Sequence, residues 1–261
     1  MNFFFDTSAF NAALDQGGIL DGDVASCPQV LGELAATYNV NPRRAEALCN
    51  TFAKLSGHRV VRPAPELAKD EIISFSHGRK FDQIFFERDR FNGVFKPVLD
   101  NLCSGVFAKD VEAFIGTIKK NKDDFLHGIK NLIDLNVTEE AHSFKELIDS
   151  FPESQLVWEM QTMMRTWNIL ASDENIKLLI RNKEKVPHFW LFIVIPHALS
   201  YLYRTDKKTK PKRGINYDMS IILNSVSFDI FVTEDGDARA LYNTLFPDRK
   251  TICYSQIKTL T

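Results

Sequence analysis

Short apolar runs that stop at an acidic residue stand near both ends of the chain. Phe3-Phe4-Phe5 runs into Asp6, and Ile230-Phe231-Val232 runs through Thr233 and Glu234 to Asp235 and Asp237. Apolar residues without polar alternation predict a strand covered on both faces, as in a parallel sheet. Such a strand delivers the residue after it to the carboxyl edge, where open α/β sheets build their sites. Helical signals follow the strand signals. Asp6-Thr7-Ser8 supplies N-cap chemistry for a helix through Leu14, and Gly17-Gly18 predicts its end. Pro28 opens a second helix, with Val30, Leu31 and Leu34 on its apolar side and Glu33 beside them. Pro42 opens a third, with Ala45, Leu48, Phe52 and Leu55 at helical spacing and Gly57 as its stop. Val60-Val61 predicts a short strand ending before Pro63. Late in the chain, Asp218 begins a helix carrying Met219, Ile222, Leu223 and Val226. Gly236 to Leu245 predicts another helix, and Thr251-Ile252-Cys253-Tyr254 a last strand. This alternation in the two flanks predicts an α/β fold with a central, mostly parallel sheet covered on both faces.

From about Pro65 to Tyr203 the period changes. Phe107, Val111, Phe114, Ile115, Ile118, Phe125, Ile129 and Leu132 recur mostly at three- and four-residue steps, with Gly116 and Gly128 as weak points. Leu156, Met160, Met163, Met164 and Trp167 repeat the pattern, and a methionine-aromatic stripe of this kind predicts packed core. The segment 65–205 therefore reads as an all-helical insertion in a discontinuous domain made of 1–64 and 206–261. Its most apolar stretch, Phe189 to Leu202, is interrupted by Pro196 and His197 and is too short to span a bilayer. No membrane partner is expected.

Composition changes this picture little. A chain of 261 residues with a formal charge of -2 carries no global sign of nucleic-acid binding. The basic loop Lys207 to Arg213 is a local exception, with Lys210, Lys212 and Arg213 as candidate phosphate contacts. Ser76-His77-Gly78-Arg79-Lys80 is a second, weaker basic loop. The 21 phenylalanines predict aromatic packing in the core. Cys27, Cys49, Cys103 and Cys253 are scattered without a CxxC pair, so buried thiols in a reducing cytoplasm are expected. Asp6 follows three phenylalanines directly, so no signal peptide is expected. His77, His127, His142, His188 and His197 show no metal-ligand spacing.

The acids at element boundaries form an ordered set. Phe5-Asp6-Thr7-Ser8-Ala9 is followed by Val30-Leu31-Gly32-Glu33-Leu34. Tyr217-Asp218-Met219-Ser220-Ile221-Ile222 and Phe231-Val232-Thr233-Glu234-Asp235-Gly236-Asp237 complete it. Taken singly, Asp6 or Asp218 reads as a helix cap, Glu33 as a solvated face and Asp235 as part of a turn. In this order the four pieces resemble the PIN-domain nucleases over roughly 1–62 and 214–257. That resemblance implies a three-layer α/β/α fold and one or two Mg²⁺ or Mn²⁺ ions held by Asp6, Glu33, Asp218 and Asp235. Asp237 is implied as an outer ligand, with Ser8 and Thr233 hydrogen-bonded behind the carboxylates. The physics agrees: carboxylates about 5 Å apart repel by roughly 3 kcal/mol per pair at an effective dielectric near 20. A divalent ion removes that conflict, and all-oxygen ligands favour Mg²⁺ or Mn²⁺ over zinc.

The implied activity is metal-dependent hydrolysis of phosphodiesters, with RNA ahead of DNA as the nucleic-acid substrate. A toxin or defence role, an antitoxin or other protein partner, a homodimer and a cytoplasmic location are implied with it. The insertion is a departure, because PIN domains are commonly about half this length. The competing expectation is a catalytically inactive PIN-like interaction module whose helical insertion binds a partner. A phosphatase using Asp6 as nucleophile is weaker, because Ser8 stands where an Asp-x-Asp pattern needs its second acid.

Overall fold

Four short strands pair side by side, all parallel, in a computed structural model that describes residues 2–17, 24–54, 59–106, 109, 111–117, 120, 143–205 and 215–257. The strands are β1 (Phe3–Phe5), β2 (Val24–Ala25), β3 (Ile230–Val232) and β4 (Lys250–Ile252), in the order β2-β1-β3-β4. Phe3, Phe4 and Phe5 lie opposite Ile230, Phe231 and Val232. β1 and β3 are thus adjacent in space, although 224 residues lie between Phe5 and Ile230. The connection from β1 leads outward to β2, whereas that from β3 leads outward to β4. The carboxyl ends of β1 and β3 therefore flank the topological switch point, where the crevice of an open parallel sheet lies.

The β1–β2 edge continues past β2 through isolated bridges. Ser26 pairs with Val60 in parallel and Val61 with Phe85 antiparallel. Val60-Val61, expected as a short strand, takes this role. Val24–Ala25 was not legible as a strand at all. At the other edge the expected strand from Thr251 to Tyr254 ends at Ile252, because Tyr254 opens a short helix.

Helices flank both faces of the sheet. Along the whole chain the helices include, in order, α1 (Thr7–Asp15), α2 (Pro28–Ala36) and α3 (Pro42–Ala53). α4 (Ala64–Ser76) and α5 (Lys96–Cys103) follow. Next come α6 (Phe144–Asp149), α7 (Glu153–Thr166), α8 (Asp173–Arg181) and α9 (Pro187–Thr205). α10 (Ile215–Ser225), α11 (Gly236–Leu245) and α12 (Tyr254–Ile257) come last. Asp6 caps α1 by accepting from Ala9 N, and Gly17, at φ 100°, turns the chain out of it. Proline occupies the first turn of α2 and α3, where its missing N–H costs nothing. Neighbouring phenylalanines of β1 point to opposite faces. Phe5 packs edge-on against Phe10 of α1 and Tyr254 of α12, with ring centroids 5.6 and 5.8 Å away. Phe4 packs against Phe228 at 5.1 Å, and its register partner Phe231 stacks on Tyr242 of α11 at 4.9 Å. Burying such rings contributes roughly 1.5–3 kcal/mol each.

The chain divides into two compact units. The first comprises 1–63, 83–126 and 213–261 and contains the sheet. The second comprises 64–82 and 127–212 and is helical where described. Residues 83–126, which fall inside the segment 65–205 read as the insertion, cluster with the sheet. Phe86, Phe91 and Phe95 are buried there, and Phe95 meets Phe114 edge-on at 5.4 Å. In the second unit, α9 packs on α4, α6 and α7. Its Pro196 lies inside the helix, at the cost of one internal hydrogen bond. Leu156, Met160 and Met164 are buried as core. No helix among the described residues is long and apolar enough to cross a membrane. Gly18, Leu55, Gly57, Phe107, residues 118 and 119 and 121–142, and the basic loop with Lys210, Lys212 and Arg213 lie outside the described residues.

Candidate functional site

Asp6 leaves β1 at the switch point, and its backbone N–H extends the ladder by donating to Val232 O at 3.2 Å. The side chain is buried, 4 % exposed. A buried carboxylate needs donors, and the loop after β3 supplies them. Thr233 Oγ1 donates to Asp6 Oδ2 at 2.5 Å, and Ser8 Oγ and Ala9 N each reach Oδ1 at 2.8 Å. Each hydroxyl has one proton to give. Thr233 Oγ1 spends its proton on Asp6 while accepting from Asp235 N at 3.0 Å. Ser8 Oγ spends its own on Asp6 while accepting from Glu234 N at 2.7 Å. The proton count leaves no surplus, so the two hydroxyls strap the end of β3 to the end of β1 through the Asp6 carboxylate. Ser8 and Thr233 thus both hydrogen-bond the Asp6 carboxylate.

Asp235 is exposed and caps α11, with Oδ1 accepting from Asp237 N at 2.7 Å and Ala238 N at 3.1 Å. Asp237 lies in the first turn of the same helix. Glu33 sits part-buried on α2, beside the buried Leu31 and Leu34, and accepts a hydrogen bond from Thr7 Oγ1. Asp218 was expected to begin a helix. α10 starts instead at Ile215, which puts Asp218 in its first turn, where the helix dipole favours an anion.

Electrostatics ties these positions together. Burial, and then the carboxylates of Asp235, Glu33, Asp6 and Asp237, push Asp218 up to about 8. All four charged neighbours that raise it are acids predicted for the site. Burial likewise pushes Asp6 up to about 6, although the hydrogen bonds from Thr233, Ala9 N and Ser8 pull it back down. The five acids therefore share one field at the carboxyl edge of β1 and β3. They do not form a closed coordination shell: no three His, Cys, Asp or Glu side chains among the described residues are gathered tightly enough to hold an ion. Their donor chemistry nonetheless fits a hard divalent cation, since every one offers oxygen and each added negative charge raises Asp218 further.

Three polar features had no local sequence signal. The Thr7–Glu33 bond joins α1 to α2. The others are buried pairs in the helical unit. His188 Nδ1 lies 2.5 Å from Glu71 Oε1, and His197 Nε2 lies 2.9 Å from Glu159 Oε2. Each of these histidines bonds a carboxylate through one ring nitrogen, and His188 Nε2 is buried without a hydrogen-bond partner. Burial pushes the thiols of Cys27 and Cys49 up to about 12 and Cys103 to about 11, which makes them poor nucleophiles. Comparisons of the chain with family models, with curated proteins and with solved structures find no match.

Proposed function

We propose that the chain is a PIN-like, divalent-metal-dependent nuclease with a helical insertion, acting on RNA ahead of DNA. One observation carries the proposal: Asp218 is raised to about 8 by burial and by the carboxylates of Asp235, Glu33, Asp6 and Asp237. Helix capping accounts for Asp6 and Asp235 singly but not for the mutual repulsion that raises Asp218, and clusters of perturbed groups mark functional sites. Asp6, Glu33, Asp218 and Asp235 would hold Mg²⁺ or Mn²⁺, with Asp237 outside them. When bound, such an ion supplies water activation and neutralises charge on a phosphodiester. The chain's own residues prepare for this. Ser8 and Thr233 keep Asp6 oriented, and Asp235 N fixes Thr233 in turn. A toxin or defence role, restrained by an antitoxin, belongs to the same proposal.

A second reading is an inactive PIN-like module whose helical unit binds a partner. It is favoured by the exposure of Trp158, Leu170 and Leu178 in that unit, where Leu170 is 89 % exposed. Incubating the purified chain with single-stranded RNA and DNA separates the two. The nuclease predicts Mn²⁺-dependent cleavage that chelation and Asp218→Asn both abolish. Cleavage that survives Asp218→Asn, or none with any divalent ion, would refute it.

A further inference from the structure

Thr7 stands beside the acids yet takes no part in the Asp6 strap. It is the first residue of α1, and its Oγ1 donates to Glu33 Oε2 on α2. Behind it runs a second line of hydrogen bonds. Asn11 Nδ2 donates to Thr7 O at 3.0 Å. Asn11 Oδ1 accepts from Arg44 Nη2 at 2.9 Å and from Nε at 3.3 Å. Arg44, on α3, closes on Asp15 at the far end of α1 with two bonds of 3.0 Å. Its own backbone N–H is held by the α3 cap, Asn41 Oδ1, at 3.1 Å. One polar line therefore links α3, α1 and α2 and terminates on a carboxylate of the acid group.

We infer that Thr7 is the positioning residue for Glu33, with Asn11 and Arg44 as its support; the inference rests on the proposal of a divalent ion at this site. A glutamate on a helix has several free rotors, and ordering them costs conformational entropy. Glu33 and Asp6 belong to different elements, so the backbone of neither element alone orients both side chains. Thr7 follows Asp6 directly. A bond from its hydroxyl therefore registers Glu33 on the same turn of backbone that carries Asp6. Two ligands from separate elements then share one reference point, and the Asn11–Arg44–Asp15 line holds that turn still. Partners behind metal ligands act this way, and their loss typically weakens metal affinity by about 10- to 100-fold. A mere tie between helices would instead alter stability and leave ion affinity unchanged.

The test is Mn²⁺ titration of the full chain by calorimetry, with thermal melts alongside. Thr7→Val removes the donor while keeping the shape, and is expected to weaken Mn²⁺ binding by about tenfold or more. Thr7→Ser keeps the hydroxyl and is expected to restore affinity. Asn11→Ala, which leaves Thr7 in place, is expected to fall between them. Thr7→Val binding as tightly as the natural chain would overturn the assignment, and so would a failure of Thr7→Ser to restore it. Should Thr7→Val not fold, unchanged affinity in Asn11→Ala overturns it instead. A natural chain that binds no Mn²⁺ at all defeats the nuclease proposal itself, a result distinct from binding that ignores Thr7.

Discussion

Replacing Asp218 with asparagine should make the metal-free protein more stable while removing its activity. The cause lies in the folded state. An aspartate that ordinarily titrates at 3.8 titrates here at about 8, so the folded chain keeps a proton that the unfolded chain has released. Stability from this group is therefore greatest below about pH 4, declines through the window from 4 to 8, and is flat above it. At roughly 1.4 kcal/mol per tenfold change, the full difference sets a ceiling of about 6 kcal/mol. Asp218 is only part-buried, and screening at an effective dielectric near 20 reduces what is realised to roughly 2–3 kcal/mol. Asparagine has nearly the same shape and no charge to desolvate. We expect its melting temperature, in chelator, to match the natural chain near pH 4 and exceed it by about 5–10 °C near pH 8.5. A gap that does not grow with pH, or a variant less stable at pH 8.5, would refute the account of Asp218 as a crowded, buried acid.

Other consequences can be checked separately. Mn²⁺ must displace protons from Asp218 and Asp6, so its apparent affinity should rise as pH rises from 6 to 8, measured by calorimetry in buffers of different ionisation enthalpy. Thr233→Val removes the donor to Asp6 and the acceptor for Asp235 N, and should cost about 2–3 kcal/mol in denaturant unfolding; it should also leave Asp6 titrating higher still. Glu71→Ala strands His188 Nδ1 and Phe189 N inside the helical unit, and should cost about 3 kcal/mol. Faster hydrogen exchange at the Phe189 amide would report it.

How much was legible in the sequence depended on the range of the interactions. β1, β3, α1, α2, α3 and α11 could be read because local signals coincide there: an apolar run, a capping side chain, a proline in the first turn. β2 could not, since two residues, Val24 and Ala25, carry no period of their own. They are strand only because Phe3 and Phe4 lie beside them. Residues 83–103 lie inside the span read as the insertion, and no short motif marks them as part of the sheet unit; Phe85 pairs with Val61 and meets Phe228 at a centroid distance of 6.1 Å. The acids proposed for the site stand out in the sequence because each sits in a short motif, Asp6, Asp218 and Asp235 near an element start or end and Glu33 within α2. Their supports stand out less. Ser8 and Thr233 share motifs with the acids, whereas the Thr7–Glu33 bond and the Glu71–His188 pair span 26 and 117 residues. Only the fold reveals contacts of that range.

The most direct test of the central claim is a crystal structure of the chain grown with Mn²⁺, with anomalous data collected at the manganese edge. The account predicts an anomalous peak at the carboxyl ends of β1 and β3, within about 2.2 Å of carboxylate oxygens from Asp6, Glu33, Asp218 and Asp235. Data without such a peak, or with manganese bound only elsewhere, would contradict it.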